Sequence, residues 1–191
     1  MSRRLFALLA LAAVLAPTAL AARVHVRVEG KTTTIFGTAE PVLDATTALT
    51  ALDAASVAGE FYYHVASTAY GPYVDQIGLY KAAGSSGWTF KVNGVSAPVG
   101  ADKVTLGPGD RVLWYWATFG PAGGPPTLVL SRGKRAGCYR VVEQDDAGKT
   151  RRARGAVLHV DGRRVRGACV GRHRGLVRAT KAGAVRSNAL R

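Results

Sequence analysis

An α+β roll with one packing helix, followed by a small all-β sandwich, is the fold class the sequence predicts, and three observations carry it. Residues 23–30, RVHVRVEG, alternate strictly, as a half-buried strand does. Residues 40–56, EPVLDATTALTALDAAS, form the one stretch whose apolar positions recur at helical spacing. After Gly59 the chain reads as short alternating runs separated by Gly, Pro, Asn and Asp.

The extreme N-terminus precedes that domain. Arg3 and Arg4 lead into an apolar run over residues 5–15, then Pro17 and the small residues Ala19 and Ala21 around Leu20. This is the charged, apolar and cleavage-site order of a secretory signal, expected over residues 1–21. The run is shorter than the ~20 apolar residues a membrane span requires. The mature chain is therefore expected to start at Ala22, to be exported, and to carry no later membrane span.

In the first strand Val24, Val26 and Val28 share one face. Gly30-Lys31 can turn the chain into a second strand over residues 32–37. The helix is expected to begin at Glu40-Pro41, since proline lacks a donor that the first turn leaves unpaired anyway, and Asp44 suits that positive end. Val42, Leu43, Ala45, Thr46, Leu49, Leu52 and Ala55 supply its apolar side. EFYYHVAS, YVDQIGLY, GWTFKVNG and DRVLWYWATF are the strands that follow. Gly71-Pro72, residues 84–87, Asn93-Gly94 and residues 107–110 turn between them, Asn93-Gly94 with the positive φ of a hairpin.

Charge divides the chain. Residues 22–126 hold 7 Lys and Arg against 8 Asp and Glu, whereas residues 127–191 hold 17 against 4. GPAGGPP, residues 120–126, punctuates the change as a linker, so the expected domains are 22–119 and 127–191. The basic half argues for attraction to an anionic cell-envelope polymer. Its arginines are scattered singly through strands and turns, which argues against specific nucleic-acid binding.

All three tryptophans, Trp88, Trp114 and Trp116, lie in GWTFKVNG and LGPGDRVLWYW. Such rings can form a core or a stacking surface for a ligand. On the core reading Trp88, Phe90 and Val92 share a face with Val112, Trp114 and Trp116, leaving Thr89, Lys91, Leu113 and Tyr115 outside. Trp88, beside the loop at residues 84–87, is then the indole expected to be partly exposed. On the binding reading Trp88, Tyr73 and Tyr115 line an open cleft.

The order TAEPVLDA, GPYVDQIG, GWTFKVNG and VGADKVTLGPGDRVLWYW resembles the transcobalamin-like C-terminal domain family, over residues 23–119. That resemblance implies a β-grasp-like roll and a ligand-binding module, with a corrinoid such as cobalamin as a candidate ligand and no other cofactor. It carries over Tyr73 and Ile77 from the Y-V-x-x-I segment, and Trp88, Thr89 and Phe90 from the aromatic-led strand. The helical partner domain of the cobalamin carriers has no counterpart in this chain.

TLVLS, CYRVVEQDD, GAVLHVDG and LVRATKAG read as the strands of a small sandwich. The run GAVLHVDGRRV followed by GLVRATKAGAVRSN resembles carboxypeptidase-regulatory-like and Ig-like modules, which implies a spacer. Cys138 and Cys169 are the only cysteines. In an exported chain an even pair favours a disulfide over two free thiols, and closing this loop contributes roughly 3–4 kcal/mol. His25, His64, His159 and His173 lie far apart without metal-ligand spacing, and no nucleophile motif is present. The residues thus point away from catalysis and from a metal site. Two functions remain: an exported module binding a small molecule at its aromatic surface, or a structural or adhesive protein of the cell envelope.

Overall fold

The computed structural model describes residues 20–191, so the charged and apolar parts of the expected signal peptide lie outside the described residues. The chain is mostly β with one helix and several small sheets, which is compatible with the α+β expectation.

The first sheet is built around β1 (Ala22–Glu29) and β8 (Arg111–Thr118), which run parallel, with β7 (Ser86–Val92) antiparallel on the far side of β8. The free edge of β1 is shared: β2 (Thr34–Phe36) pairs with its end and β3 (Val42–Ala45) with its start. Gly37 lets the chain cross between them; it has φ +74°, and a Cβ there would come within 2.2 Å of the Val26 carbonyl oxygen.

β3 corrects the expected helix start. Residues 42–45 lie extended on the edge of β1, and the helix α1 spans Ala48–Gly59. Thr47 caps it: its hydroxyl accepts from the Thr50 backbone N–H while the Thr50 hydroxyl accepts from the Thr47 N–H. The register of Ala22–His25 against Val42–Ala45 outweighs the weak preference of VLDA for helix. Ala48, Ala51, Leu52 and Ala55 are buried against Val24, Val26, Val28, Val112 and Trp114. β4 (Tyr63–Thr68), β5 (Gly71–Ile77) and β6 (Tyr80–Lys81) make a separate meander beside this core, anchored by Val74 and Ile77. Asn93 and Gly94 do turn with positive φ, at 52° and 84°. The turn feeds a long loop, which docks on the helix start through the Ala48 N–H to the Val104 carbonyl, before β8 returns beside β7.

Residues 127–191 fold into two three-stranded sheets. One contains β9 (Thr127–Arg132), β10 (Tyr139–Gln144) and β11 (Thr150–Arg152). The other contains β12 (Val157–Val160), β13 (Arg163–Val165) and β14 (Val177–Thr180). Leu128, Leu130, Tyr139, Leu158, Val177 and Ala179 share their core. Residues 187–190 are knitted in as well: the Asn188 side chain accepts from the Leu130 N–H and donates to the Leu130 carbonyl, and Leu190 bridges Val177. Cys138 and Cys169 are joined in a disulfide.

The first strand is not half-buried. The helix covers the valine face, and residues 127–191 cover the opposite one, so Arg27 and Glu29 are buried too. Glu29 is fully enclosed and meets Arg27 at 3.1 Å, Arg186 at 2.9 Å, the Arg178 guanidinium and the Thr34 hydroxyl. Arg27 also donates to the Arg186 carbonyl at 2.8 Å, and Arg186 donates to the Gly30 carbonyl at 2.7 Å. Lys91, on the same face of β7, donates to the Asp145 carbonyl at 2.8 Å and pairs with Asp146 at 3.3 Å. Leu113, Tyr115, Ala117 and Val185 fill the apolar part of this contact.

Removing one partner of a buried ion cluster leaves the others uncompensated. Glu29→Gln, which keeps the shape and deletes the charge, is expected to destabilise the chain by about 3–5 kcal/mol in urea unfolding, against less than about 0.5 kcal/mol for Glu60→Gln at an exposed helix end.

Candidate functional site

The aromatic strand pair positions most of the residues singled out by the sequence. In the β7–β8 register Trp88 faces Trp116, Phe90 faces Trp114 and Val92 faces Val112, while Thr89 lies opposite Tyr115 and Lys91 opposite Leu113. Cross-strand partners share a face, so Trp88 and Phe90 lie on the helix side and Thr89 and Tyr115 on the other.

The helix-side rings are packed against one another. Trp88 meets Trp116 edge to face at 5.6 Å, Trp116 lies 5.9 Å from Tyr80, and Phe90 lies 5.0 Å from Trp114. Both interior indoles find acceptors: Trp88 Nε1–H donates to the Tyr80 carbonyl at 2.8 Å and Trp114 Nε1–H to the Ala48 carbonyl at 3.0 Å. Trp88 is 3% exposed, so the expected exposure next to the loop at residues 84–87 is not found; β6 covers it. Trp116 is the half-buried indole instead.

Tyr115 is 1% exposed, and residues 127–191 cover it where the sequence placed it outside. Burial, reinforced by Asp146, pushes its phenol well above the ordinary tyrosine value. Burial likewise lowers the Lys91 ammonium, opposed by Asp146 and Asp145. Ile77 is enclosed. Tyr73 is the exception, exposed on β5 with its hydroxyl against the backbone of Gly87. Trp88, Tyr73 and Tyr115 therefore do not meet in one open cleft: one is core, one is surface, and one is sealed between the two halves.

Charged side chains stand in the walls of two clefts. A 570 Å³ cleft runs where the first sheet meets β9 and includes Arg27, Glu40 and Arg111. Arg27 Nε lies 3.1 Å from Glu40, which also holds Arg111. A larger cleft, 860 Å³, opens over the Cys138–Cys169 bridge and is rimmed by arginines. Sequence reading missed it because those arginines are spread along the chain. The signal was present in the RGKR preceding Cys138 and the GRHRG following Cys169, which converge once the cysteines are joined.

The carboxylates of residues 127–191 are committed elsewhere. Glu143 accepts from Arg151 Nε at 2.7 Å and from Lys181, Asp146 pairs with Lys91, and Asp145 Oδ1 accepts from the Ala147 and Lys149 N–H groups. Asp161 Oδ1 accepts from the Leu176 N–H at 2.9 Å. The acidic turn at residues 144–146 is thus a backbone-capping turn with one ion pair, from Asp146 to the buried Lys91. Among the described residues no group of three or more His, Cys, Asp or Glu side chains is placed to hold a metal ion. No helix among them is long and apolar enough to cross a membrane.

Residues 45–118 match the family described as a domain of unknown function (DUF4430), which is the transcobalamin-like family. The match runs from the end of β3 to the end of β8 and includes the aromatic pair. No curated protein matches the chain.

Two measurements check this arrangement. Trp116→Phe is expected to remove most of the acrylamide-quenchable tryptophan emission, whereas Trp114→Phe leaves it nearly unchanged, because Trp114 is 2% exposed. The hydrogen bonds from Lys181 and then Arg151 hold the Glu143 carboxyl below its ordinary value of 4.5. A depressed carboxyl contributes stability that is complete above the unfolded value and is lost as pH falls through the folded one. Thermal unfolding should therefore shift downward on acidification below that value, and Glu143→Gln should flatten that part of the profile.

Proposed function

We propose that this is an exported, non-catalytic protein that serves as a structural or adhesive component of the cell envelope, with residues 127–191 turned toward an anionic envelope polymer. One observation carries this reading: of the aromatic rings that a binding module would present, Trp88, Trp114 and Tyr115 are enclosed by packing, and the exposed Tyr73 stands apart from them. Trp88 and Trp114 lie under the helix and β6, and Tyr115 lies under residues 127–191. A buried face-to-face contact of this kind suits a rigid two-part scaffold, in which a β-grasp-like roll and a sandwich act as one body.

Charge supports the same reading. The acidic groups of residues 127–191 are used in turns and internal ion pairs, which leaves a surplus of exposed arginines, and a long-range field of one sign favours association with polyanions. The attraction is electrostatic and therefore sensitive to ionic strength.

A second reading, a small-ligand module for a corrinoid or a related molecule, draws on the transcobalamin-like match and on the exposed Tyr70 and Tyr73 of the β4–β5 hairpin. Two assays on the purified chain separate them. Co-sedimentation with isolated envelopes, reversed by raising the salt, is expected for the scaffold. Titration with cobalamin or cobinamide is expected to give no saturable quenching of tryptophan emission. Saturable quenching that disappears in Tyr73→Ala, together with no co-sedimentation, would replace the scaffold by the ligand module.

A further inference from the structure

We infer that the cleft over the Cys138–Cys169 bridge is a binding site for a linear polyanion carrying repeated phosphate groups. The inference rests on the envelope reading above and assigns its contact to one place on the surface.

The site begins with the covalent frame. The bridge fastens residues 137–139 to residues 168–170, and two backbone hydrogen bonds of 2.8 Å, Tyr139 N–H to the Ala168 carbonyl and Val170 N–H to the Gly137 carbonyl, complete the clamp. Gly137 permits this close approach: it has φ +69°, and a Cβ would come within 2.5 Å of the Gly171 carbonyl oxygen. The loops that flank the clamp carry the cations. Arg132 and Arg135 come from the first, Arg172 and Arg174 from the second, and Arg191 from the chain end.

Arg135, Arg172 and Arg174 make no ion pair among the described residues, and Arg132 is held only by the main-chain oxygen of Arg191. The cleft lining contains no acidic residue. Its floor is held from within, with His173 Nε2 hydrogen-bonded to Tyr139 Oη at 2.9 Å and Nδ1 to the Gly171 carbonyl at 3.0 Å. Uncompensated cations on a cross-linked frame lose less freedom on binding than the same cations on an open loop.

The chemistry of the lining selects the partner. Guanidinium forks match phosphate oxygens two at a time. A space of 860 Å³ exceeds a single phosphate and suits several along a chain. A bilayer surface is disfavoured: peripheral membrane contacts pair cations with inserted apolar side chains, and among the described residues every exposed large apolar side chain lies at or before Phe119. Single-stranded nucleic acid is disfavoured as well, since its bases need open aromatic platforms, and the one ring in the cleft besides His173, Tyr139, is 7% exposed.

The test uses the full chain and a short linear polyphosphate as probe, with affinity measured by calorimetry at several salt concentrations. Arg132→Gln/Arg172→Gln/Arg174→Gln is expected to weaken binding by about tenfold or more and to make the salt dependence shallower. Arg152→Gln/Arg154→Gln/Arg164→Gln removes the same charge from exposed positions outside the cleft, and its affinity is expected to stay within about threefold of the parent. Cys138→Ser/Cys169→Ser leaves the charge untouched and opens the frame, so it too should weaken binding, with thermal unfolding confirming that each variant is folded. Equal losses from the two arginine triples would overturn the cleft while leaving diffuse envelope attraction standing. No binding of polyphosphate by the parent chain, with envelopes still sedimenting the protein, would overturn the cleft alone; failure of both would overturn the envelope reading as well. Tighter binding to phosphatidylglycerol vesicles or to single-stranded DNA than to polyphosphate would also overturn the proposal.

Discussion

Glu29 sits at the end of β1 with no access to solvent, and three arginines from opposite ends of the sequence converge on it. A carboxylate in that position is tolerated only because its charge is met from several sides and its oxygens are hydrogen-bonded. Arg27 comes from the same strand, whereas Arg178 and Arg186 come from the second half of the chain, so the carboxylate is satisfied only when the two halves are docked. Burial depresses the Arg27 guanidinium, and Glu29 and Glu40 oppose that shift, which is the electrostatic form of the same dependence. Much else follows from this contact: the second face of the first sheet is covered, Tyr115 becomes interior, and Lys91 is drawn across to the carbonyl groups of the β10–β11 turn.

The contact also reshapes what the aromatic strands can do. A sheet with one face under a helix and the other in water can offer alternate side chains to a ligand. Here both faces are occupied, one by α1 and the β4–β6 meander and the other by residues 127–191. The rings of Trp88, Trp114 and Tyr115 therefore contribute burial, edge-to-face contacts and satisfied indole donors to stability. Exposed charge is concentrated instead on the second half, where few carboxylates offset many arginines and the disulfide gathers several of them.

Several parts of the fold were legible in the sequence because they depend on near neighbours. The alternation of Val24, Val26 and Val28, the pairing of the WTFKV and VLWYW faces, and the turns at Asn93-Gly94 and Gly109-Asp110 follow from side-chain period and backbone permissiveness. The start of the helix was not legible. VLDA carries helical spacing, yet β1 needs an edge partner, and a capping box at Thr47 and Thr50 offers a later start. The site was less legible still: alternation distinguishes two faces of a strand but cannot say whether a distant segment covers the outer one, so Tyr115 and Lys91 were placed outside.

By itself the sequence determined the periodicities, the Gly/Pro break at residues 120–126, the asymmetry of charge between the halves and the even pair of cysteines, since each is a property of composition or of residues a few positions apart. The tertiary structure decided which charges are buried and which are free. Arg178 and Arg186 are consumed at Glu29, while Arg132, Arg135, Arg172 and Arg174 are left facing solvent around one cleft, although all six look alike along the chain. The reason is electrostatic: the worth of a charge depends on its distance to its partners and on the water removed around it, and both are fixed only when the chain is folded.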